Sequence, residues 1–246
     1  MRIENRLVST VYRVVLVGVC LTGLILNFQN VRLGAAIQLL TYYTIQSNIL
    51  ALVFFLILLI AAARRRGPGA ADPFPSAKGA VTLAITITFL VFHFLLRPVL
   101  FSMSPDPTAG PVESDPSSYA LSTANLLVHY VTPLMVLGDW LLFSPKGVWN
   151  KLAPIKWLIV PLAYFGFALV GAQLSLFPGA SRYPYFFIDF DLYGAAQVWR
   201  NVLFIAIGFA ALGYLMWGID RALSKLSRHR DPAPAPEPET IPDLAA

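Results

Sequence analysis

Residues 39–63 read LLTYYTIQSNILALVFFLILLIAAA, without one charged side chain, and RRR follows at 64–66. About 20 apolar residues in a helix are enough to cross the hydrocarbon core of a bilayer. The stretch therefore predicts a transmembrane helix that ends at a basic boundary. Its first ten residues carry several hydroxyl and amide groups, which are costly in lipid and need a reason to be there.

The rest of the chain has the same apolar character. Of its 246 residues 57% are hydrophobic and only 13% are charged, and the mean hydropathy is +0.66. These values exclude a soluble globular domain and a disordered chain. The single Cys20 excludes a disulfide framework and a cysteine zinc site. The sequence also lacks a Walker loop, a Gly-x-Ser-x-Gly elbow and a His-Glu-x-x-His motif.

Apolar runs of spanning length recur along the chain, and they predict an all-α polytopic membrane protein with six transmembrane helices. The runs are residues 11–28, 39–63, 79–100, 119–143, 157–176 and 197–219. The predicted transmembrane domain covers residues 1–221. Residues 222–246, first basic and then rich in Pro and Glu, are predicted to form a disordered cytoplasmic tail.

The basic residues predict the orientation of the chain. Fourteen of the eighteen lysines and arginines lie in the N-terminus, the second and fourth connections, and the tail. The positive-inside rule therefore predicts that both termini are cytoplasmic, in the inner membrane if the chain is bacterial. Because the basic residues are spread over separate flanks, the sequence predicts no nucleic-acid partner. It does not indicate an oligomeric state.

Three of the predicted helices carry polar residues at helical spacing, which predicts a shared polar interior. Helix 2 carries Thr41, Thr44, Ser47 and Asn48, with Gln46 on another side; helix 3 carries Thr82, Thr86, His93 and Arg97; helix 4 carries Asn125, His129, Thr132 and Asp139. At 1.5 Å per residue, Thr44, His93 and His129 all fall in the outer half of the membrane.

A hydroxyl beside a neutral imidazole in a dry interior is suited to attack an ester carbonyl, because the imidazole can accept the hydroxyl proton. The alternative interpretation is that Thr44 and His129 only form a hydrogen bond between helices. Asp139 lies ten residues from His129 and cannot bind the same metal ion, so no metal or cofactor is predicted. Asp139 is instead expected to form a structural ion pair with Arg13.

Two segments of the sequence resemble a known family. These are 41–50, TYYTIQSNIL, and 125–133, NLLVHYVTP, taken together with Asp139 in a chain of six spans. They resemble bacterial six-transmembrane proteins distantly related to the animal androgen-induced and androgen-dependent TFPI-regulating proteins. The animal members are intramembrane threonine hydrolases that cleave fatty acid esters of hydroxy fatty acids. The resemblance covers roughly residues 11–221.

The resemblance implies roles for particular residues. The family threonine is similar to Thr44 and the family histidine to His129, while Asn125 and Asp139 match an asparagine four residues before that histidine and an acid ten after it. The animal pattern has asparagine where this chain has Ser47, with Asn48 one residue later, and Thr41 is an alternative nucleophile. The proline after the histidine, Pro133, comes one residue early.

The sequence thus predicts a hydrolase of lipid-like esters with Thr44 as nucleophile and His129 as base. Oxyanion or polar support is expected from Gln46, Ser47, Asn48 and Asn125, and pocket residues are expected to include His93, Arg97, Tyr183, Tyr185 and Asp189. The aromatic run 183–189 is either an interfacial belt or a lid over the site. The rival functional interpretation is a non-enzymatic transporter or lipid-binding protein with a polar interior.

Overall fold

A computed structural model describes residues 3–29, 31–64, 72–102, 122–177 and 181–228. These residues are mostly helical with no strand, and six of the helices are long and apolar enough to cross a membrane, so the predicted fold class is confirmed. The side of the membrane on which the termini lie stays a prediction. The helices are α1 Arg6–Phe28, α2 Leu33–Thr41, α3 Tyr43–Arg64, α4 Pro75–Ser102, α5 Thr123–Phe143, α6 Ala153–Gln173 and α7 Phe190–Arg228.

The bundle has two ends, which hydrogen bonds define. At the basal end, where α1 begins, the Ile3 N–H donates to Leu142 of α5 and Arg6 donates to Ala62 of α3. At the distal end, where α1 ends, Asn27 donates to the Ala124 carbonyl of α5. Helix α2 and the start of α3 lie at the distal end.

The tightest packing joins α1, α3, α4 and α5. Leu16, Phe55, Ile85 and Val136, one from each helix, are 0% exposed and pack in one cluster. Helices α6 and α7 are more exposed and pack against α4 and α5 mainly through a second cluster that contains Trp140, Trp149 and Trp157. This arrangement leaves the distal part of α4 to face α6 and α7 across a cavity.

The second predicted span is not one helix. It divides at Tyr42, whose backbone is extended (φ −77°, ψ 138°), so Thr41 ends α2 while Thr44 lies in the first turn of α3. The sequence carries no Gly or Pro at this point. The break is stabilised from elsewhere in the chain, because the Tyr164 hydroxyl donates to the Thr41 carbonyl at 2.9 Å and the Tyr43 N–H donates to the Tyr185 hydroxyl at 3.1 Å. The prediction that Thr41 and Thr44 share one face of a single helix is therefore wrong.

Each of α4 and α5 contains one π-helical turn, at Phe92–Leu96 and Leu127–Val131. In both, a backbone N–H bonds five residues back, from Arg97 to Phe92 and from Thr132 to Leu127. A proline follows each turn, Pro98 and Pro133, and proline removes a backbone donor and clashes with the carbonyl four residues before it. The π turns accommodate that conflict.

The last helix also departs from its predicted bounds. It begins at Phe190 and continues through Arg228, so residues 222–228, the first part of the predicted tail, are helical. Gly194 interrupts its first turns with φ 70°, a backbone conformation that favours glycine. The rest of the predicted tail, residues 229–246, lies outside the described residues, as does the predicted start of the fourth span at residue 119.

Candidate active site

The predicted pair, Thr44 and His129, is in contact. The Thr44 Oγ1 lies 3.0 Å from the His129 Nε2, and the two residues are 8% and 3% exposed. Thr44 comes from the first turn of α3 and His129 from the π turn of α5. Two helices therefore hold a hydroxyl and an imidazole within hydrogen-bond distance in the distal half of the bundle.

The partners of the imidazole determine which nitrogen carries the proton. The His129 Nδ1 lies 3.2 Å from the carbonyl oxygen of Asn125, one turn earlier. Because a carbonyl can only accept, Nδ1 carries the hydrogen and Nε2 presents its lone pair to the Thr44 hydroxyl. This is the tautomer that a general base needs.

Phe92 covers one face of the imidazole. Its ring centroid lies 3.9 Å from that of His129, the planes are inclined at 28°, and the side chain is 2% exposed. Phe92 is the first residue of the π turn in α4, so the π turns of α4 and α5 meet at the histidine. The contact fixes the ring orientation and excludes water from that face. Nothing in the sequence pattern singled out Phe92, since it is one of many aromatic residues in the spans.

The predicted role of Asn48 in oxyanion binding is not supported by its contacts. Its side-chain amide donates to the Thr44 carbonyl at 2.8 Å and to the Val128 carbonyl at 3.0 Å, so both amide hydrogens are used. Asn48 is 0% exposed and connects α3 to α5 beside the pair. It positions the two helices and has no hydrogen left for a substrate.

The other predicted polar residues serve neighbouring elements. The Gln46 amide donates to the Leu40 carbonyl of α2 at 3.0 Å, away from the cavity. The Ser47 hydroxyl lies 2.7 Å from that of Thr88, which links α3 to α4. Asn125 is 0% exposed and holds His129 through its carbonyl. The Thr41 hydroxyl donates to the Gln38 carbonyl at 2.6 Å within α2, so Thr44 is the better placed nucleophile.

A cavity of about 130 Å³ opens beside Thr44. It is enclosed by the first turn of α3, the second half of α4, α6, the segment 185–188 and α7. Its lining is apolar apart from two threonine and three tyrosine hydroxyl groups. The residues that carry them are Thr44, Thr88, Tyr43, Tyr164 and Tyr185.

Of the five predicted pocket residues, only Tyr185 lines this cavity. The other four have separate contacts. His93 bonds the Tyr130 hydroxyl at 3.0 Å, Arg97 lies over the Phe101 ring, Tyr183 packs with Ala172 and Phe177, and Asp189 caps α7 by accepting the N–H groups of Asp191 and Leu192. The expectation that they line the pocket is wrong for this cavity, because the π turn and the loop direct them elsewhere.

Arg13 and Asp139 form the expected ion pair at the basal end. The Arg13 Nε lies 2.7 Å from Asp139 Oδ1, and both side chains are at most 1% exposed. Lys78 also pairs with Asp139, and its Nζ lies 3.4 Å from Asp72 Oδ2. Two cations and two anions therefore form one buried cluster, of which only the pair of Arg13 and Asp139 was predicted from the sequence.

Among the described residues, no group of three or more His, Cys, Asp or Glu side chains is placed to hold a metal ion. Comparisons of the chain with protein-family models, with curated proteins and with solved structures gave no significant match. The functional interpretation therefore rests on the geometry of the site and on the sequence motifs.

Proposed function

We propose that this protein is an intramembrane hydrolase of lipid-like esters in which Thr44 is the nucleophile and His129 the base. The observation that carries the proposal is the 3.0 Å contact between Thr44 Oγ1 and His129 Nε2, with Nδ1 facing a carbonyl and the threonine lining an apolar cavity. A hydroxyl bonded to a base that a third group orients is the arrangement expected of an activated nucleophile.

The reaction follows from these contacts. The Thr44 oxygen adds to the ester carbonyl carbon while its proton moves to His129 Nε2, and the carbonyl electron pair moves to the carbonyl oxygen. Collapse of this intermediate expels the alcohol, which takes the proton from His129 and leaves an acyl-threonine. Water then attacks the acyl group with His129 again as base, which releases the acid and restores Thr44.

The cavity supports a lipid-like substrate, such as a fatty acid ester of a hydroxy fatty acid. Its walls offer side chains such as Ile87, Val91 and Phe209 to an acyl chain, and Thr44 is part of the same lining. Substrate and surrounding lipids are thus the proposed partners, and no cofactor enters the reaction. The predicted orientation of the chain would place the site in the outer leaflet.

The packing beneath the site favours a pocket over a passage. On the basal side of the pair the bundle is filled by Phe55, Ile85 and Val136, all 0% exposed, and by the buried ion cluster. A transporter would need open space along the whole membrane thickness, whereas these basal side chains are closely packed. We therefore place the hydrolase ahead of the transporter.

The test compares Thr44→Ala with Thr44→Ser, which keeps a hydroxyl. Purified variants are assayed with p-nitrophenyl octanoate and with a fluorophosphonate probe. We expect Thr44→Ala to abolish labelling and to lower kcat by at least about a thousandfold. Thr44→Ser should retain part of the labelling and part of the activity.

Folding is checked in the same samples through Cys20, the only cysteine, which is 0% exposed. A maleimide dye reacts with it only when the bundle opens, so the temperature at which it reacts reports stability. Wild-type labelling of a folded Thr44→Ala variant would refute the proposed nucleophile.

A further inference from the structure

The proposed reaction needs hydrogen-bond donors for the oxyanion, and the amides expected to supply them are directed elsewhere. Both hydrogens of the Asn48 amide bond backbone carbonyls, and the Gln46 amide faces α2. A donor must lie beside Thr44 on the cavity side, because the substrate carbonyl reaches the nucleophile from the cavity.

Tyr185 occupies that position. Its ring lines the cavity together with Thr44, and its hydroxyl accepts the Tyr43 N–H at 3.1 Å. Since the oxygen is held as an acceptor, its own hydrogen is free to turn toward the Thr44 side chain. Phe187 stacks on the Tyr185 ring at 5.2 Å with an 8° angle, and Tyr42 meets its edge at 5.9 Å, so the ring is fixed.

The break at Tyr42 adds to the same environment. Thr44 lies in the first turn of α3, where helix geometry leaves N–H groups without carbonyl partners. The Tyr43 N–H is taken by Tyr185 and the Gln46 N–H by the Tyr42 carbonyl at 3.2 Å. The Thr44 N–H also bonds the Tyr185 hydroxyl, and the positive end of the helix dipole favours negative charge nearby.

We propose that Tyr185 is a catalytic residue, whose hydroxyl donates a hydrogen bond to the oxyanion formed when Thr44 attacks the ester. The inference rests on the proposed function. Tyr185 keeps its proton throughout: the oxyanion receives the carbonyl electron pair, His129 holds the Thr44 proton, and collapse of the intermediate returns the electron pair to the carbonyl.

The surroundings of Tyr185 keep its hydroxyl protonated, which is the form that can donate a hydrogen bond. Burial raises the pKa of the Tyr185 phenol, and its hydrogen bonds with the Thr44 side chain and with the Thr44 and Tyr43 N–H groups oppose that rise only in part. A phenol with a raised pKa stays protonated at neutral pH. Tyr185 is therefore a donor and does not compete with His129 as a base.

The test compares Tyr185→Phe with Tyr12→Phe. The Tyr12 hydroxyl donates to the Met135 carbonyl at 2.9 Å and lies outside the cavity lining, so its variant loses the same atom from a structural bond between α1 and α5. With p-nitrophenyl octanoate, we expect Tyr185→Phe to lower kcat by about 10²- to 10³-fold with little change in KM. We expect Tyr12→Phe to keep kcat within about threefold of the wild type.

A second readout separates the catalytic role from a structural one. A long-chain trifluoromethyl ketone forms a tetrahedral adduct with a serine or threonine nucleophile, whereas the matching alkyl ether cannot. Affinity for the ketone should fall in Tyr185→Phe by about the factor lost in kcat, while affinity for the ether is unchanged.

Two outcomes would overturn the role of Tyr185. One is a kcat for Tyr185→Phe equal to that of Tyr12→Phe. The other is an equal loss of affinity for the ketone and the ether, together with earlier exposure of Cys20. If either occurs while Thr44→Ala and His129→Ala are inactive, the hydrolase stands and only the assignment of Tyr185 fails. If Thr44→Ala keeps full activity, both proposals fail.

Discussion

The distal site and the basal ion cluster are both made of polar groups buried in the bundle, yet they are built differently. The basal cluster combines Arg13, Lys78, Asp72 and Asp139, with each cation against a carboxylate. The distal site pairs a neutral hydroxyl with an imidazole, and it faces a cavity. The basal groups are enclosed by apolar packing, whereas Thr44 of the distal site lines the cavity.

The difference follows from the energetics of burial. A charge inside a membrane protein has to be neutralised by a partner, because an unpaired buried ion costs several kcal/mol. A neutral hydroxyl costs much less and tolerates a cavity on one side. The basal cluster is thus suited to hold helices together, and the distal pair is suited to react. Three substitutions test this division.

The largest effect is expected from His129→Ala. Loss of the base should lower kcat for p-nitrophenyl octanoate by about 10²- to 10⁴-fold, while stability changes little because an interhelical hydrogen bond contributes only about 0.6 kcal/mol. The matched control is His93→Ala, which removes the other histidine in a π turn. Equal losses in both variants would show that the Thr44 contact has no special role.

The next effect is expected from Asp139→Asn and concerns stability. It leaves Arg13 and Lys78 without their shared carboxylate, so the free energy of unfolding should fall by about 3 to 5 kcal/mol. The measurement is an SDS titration in which unfolding is monitored through the reactivity of Cys20. The folded fraction should keep its kcat.

The control for Asp139→Asn is Asp191→Asn. It breaks the pair between Arg182 and Asp191, whose side chains are 46% and 54% exposed, and should lower the free energy of unfolding far less than Asp139→Asn does, because solvent screens exposed charges. If Asp139→Asn and Asp191→Asn were equally stable, the basal cluster would not be what holds the helices together.

The smallest effect is expected from Phe92→Leu. The shorter side chain leaves the His129 ring without its stacked neighbour and should lower kcat about tenfold through poorer orientation of Nε2. Phe89→Leu is the control, since Phe89 stacks on His93 instead. A normal kcat in Phe92→Leu would show that the Asn125 carbonyl alone orients the imidazole.

The sequence was sufficient to predict the six spans, because a long apolar run has only one stable form in lipid. It was also sufficient to place Thr44 and His129 on inward faces, because helical spacing fixes which residues share a face. The ion pair of Arg13 and Asp139 was predictable for the same reason, combined with the cost of charge in a membrane.

The tertiary structure alone decided the surroundings of the pair. The break at Tyr42 depends on two hydroxyl groups that lie 123 and 142 residues along the chain from the backbone groups they bond, and no local Gly or Pro predicts it. The same contacts bring Tyr185 to Thr44 and direct Asn48 and Gln46 elsewhere. Spacing along one helix fixes the direction of a side chain but not its partner, since the partner depends on how distant segments pack.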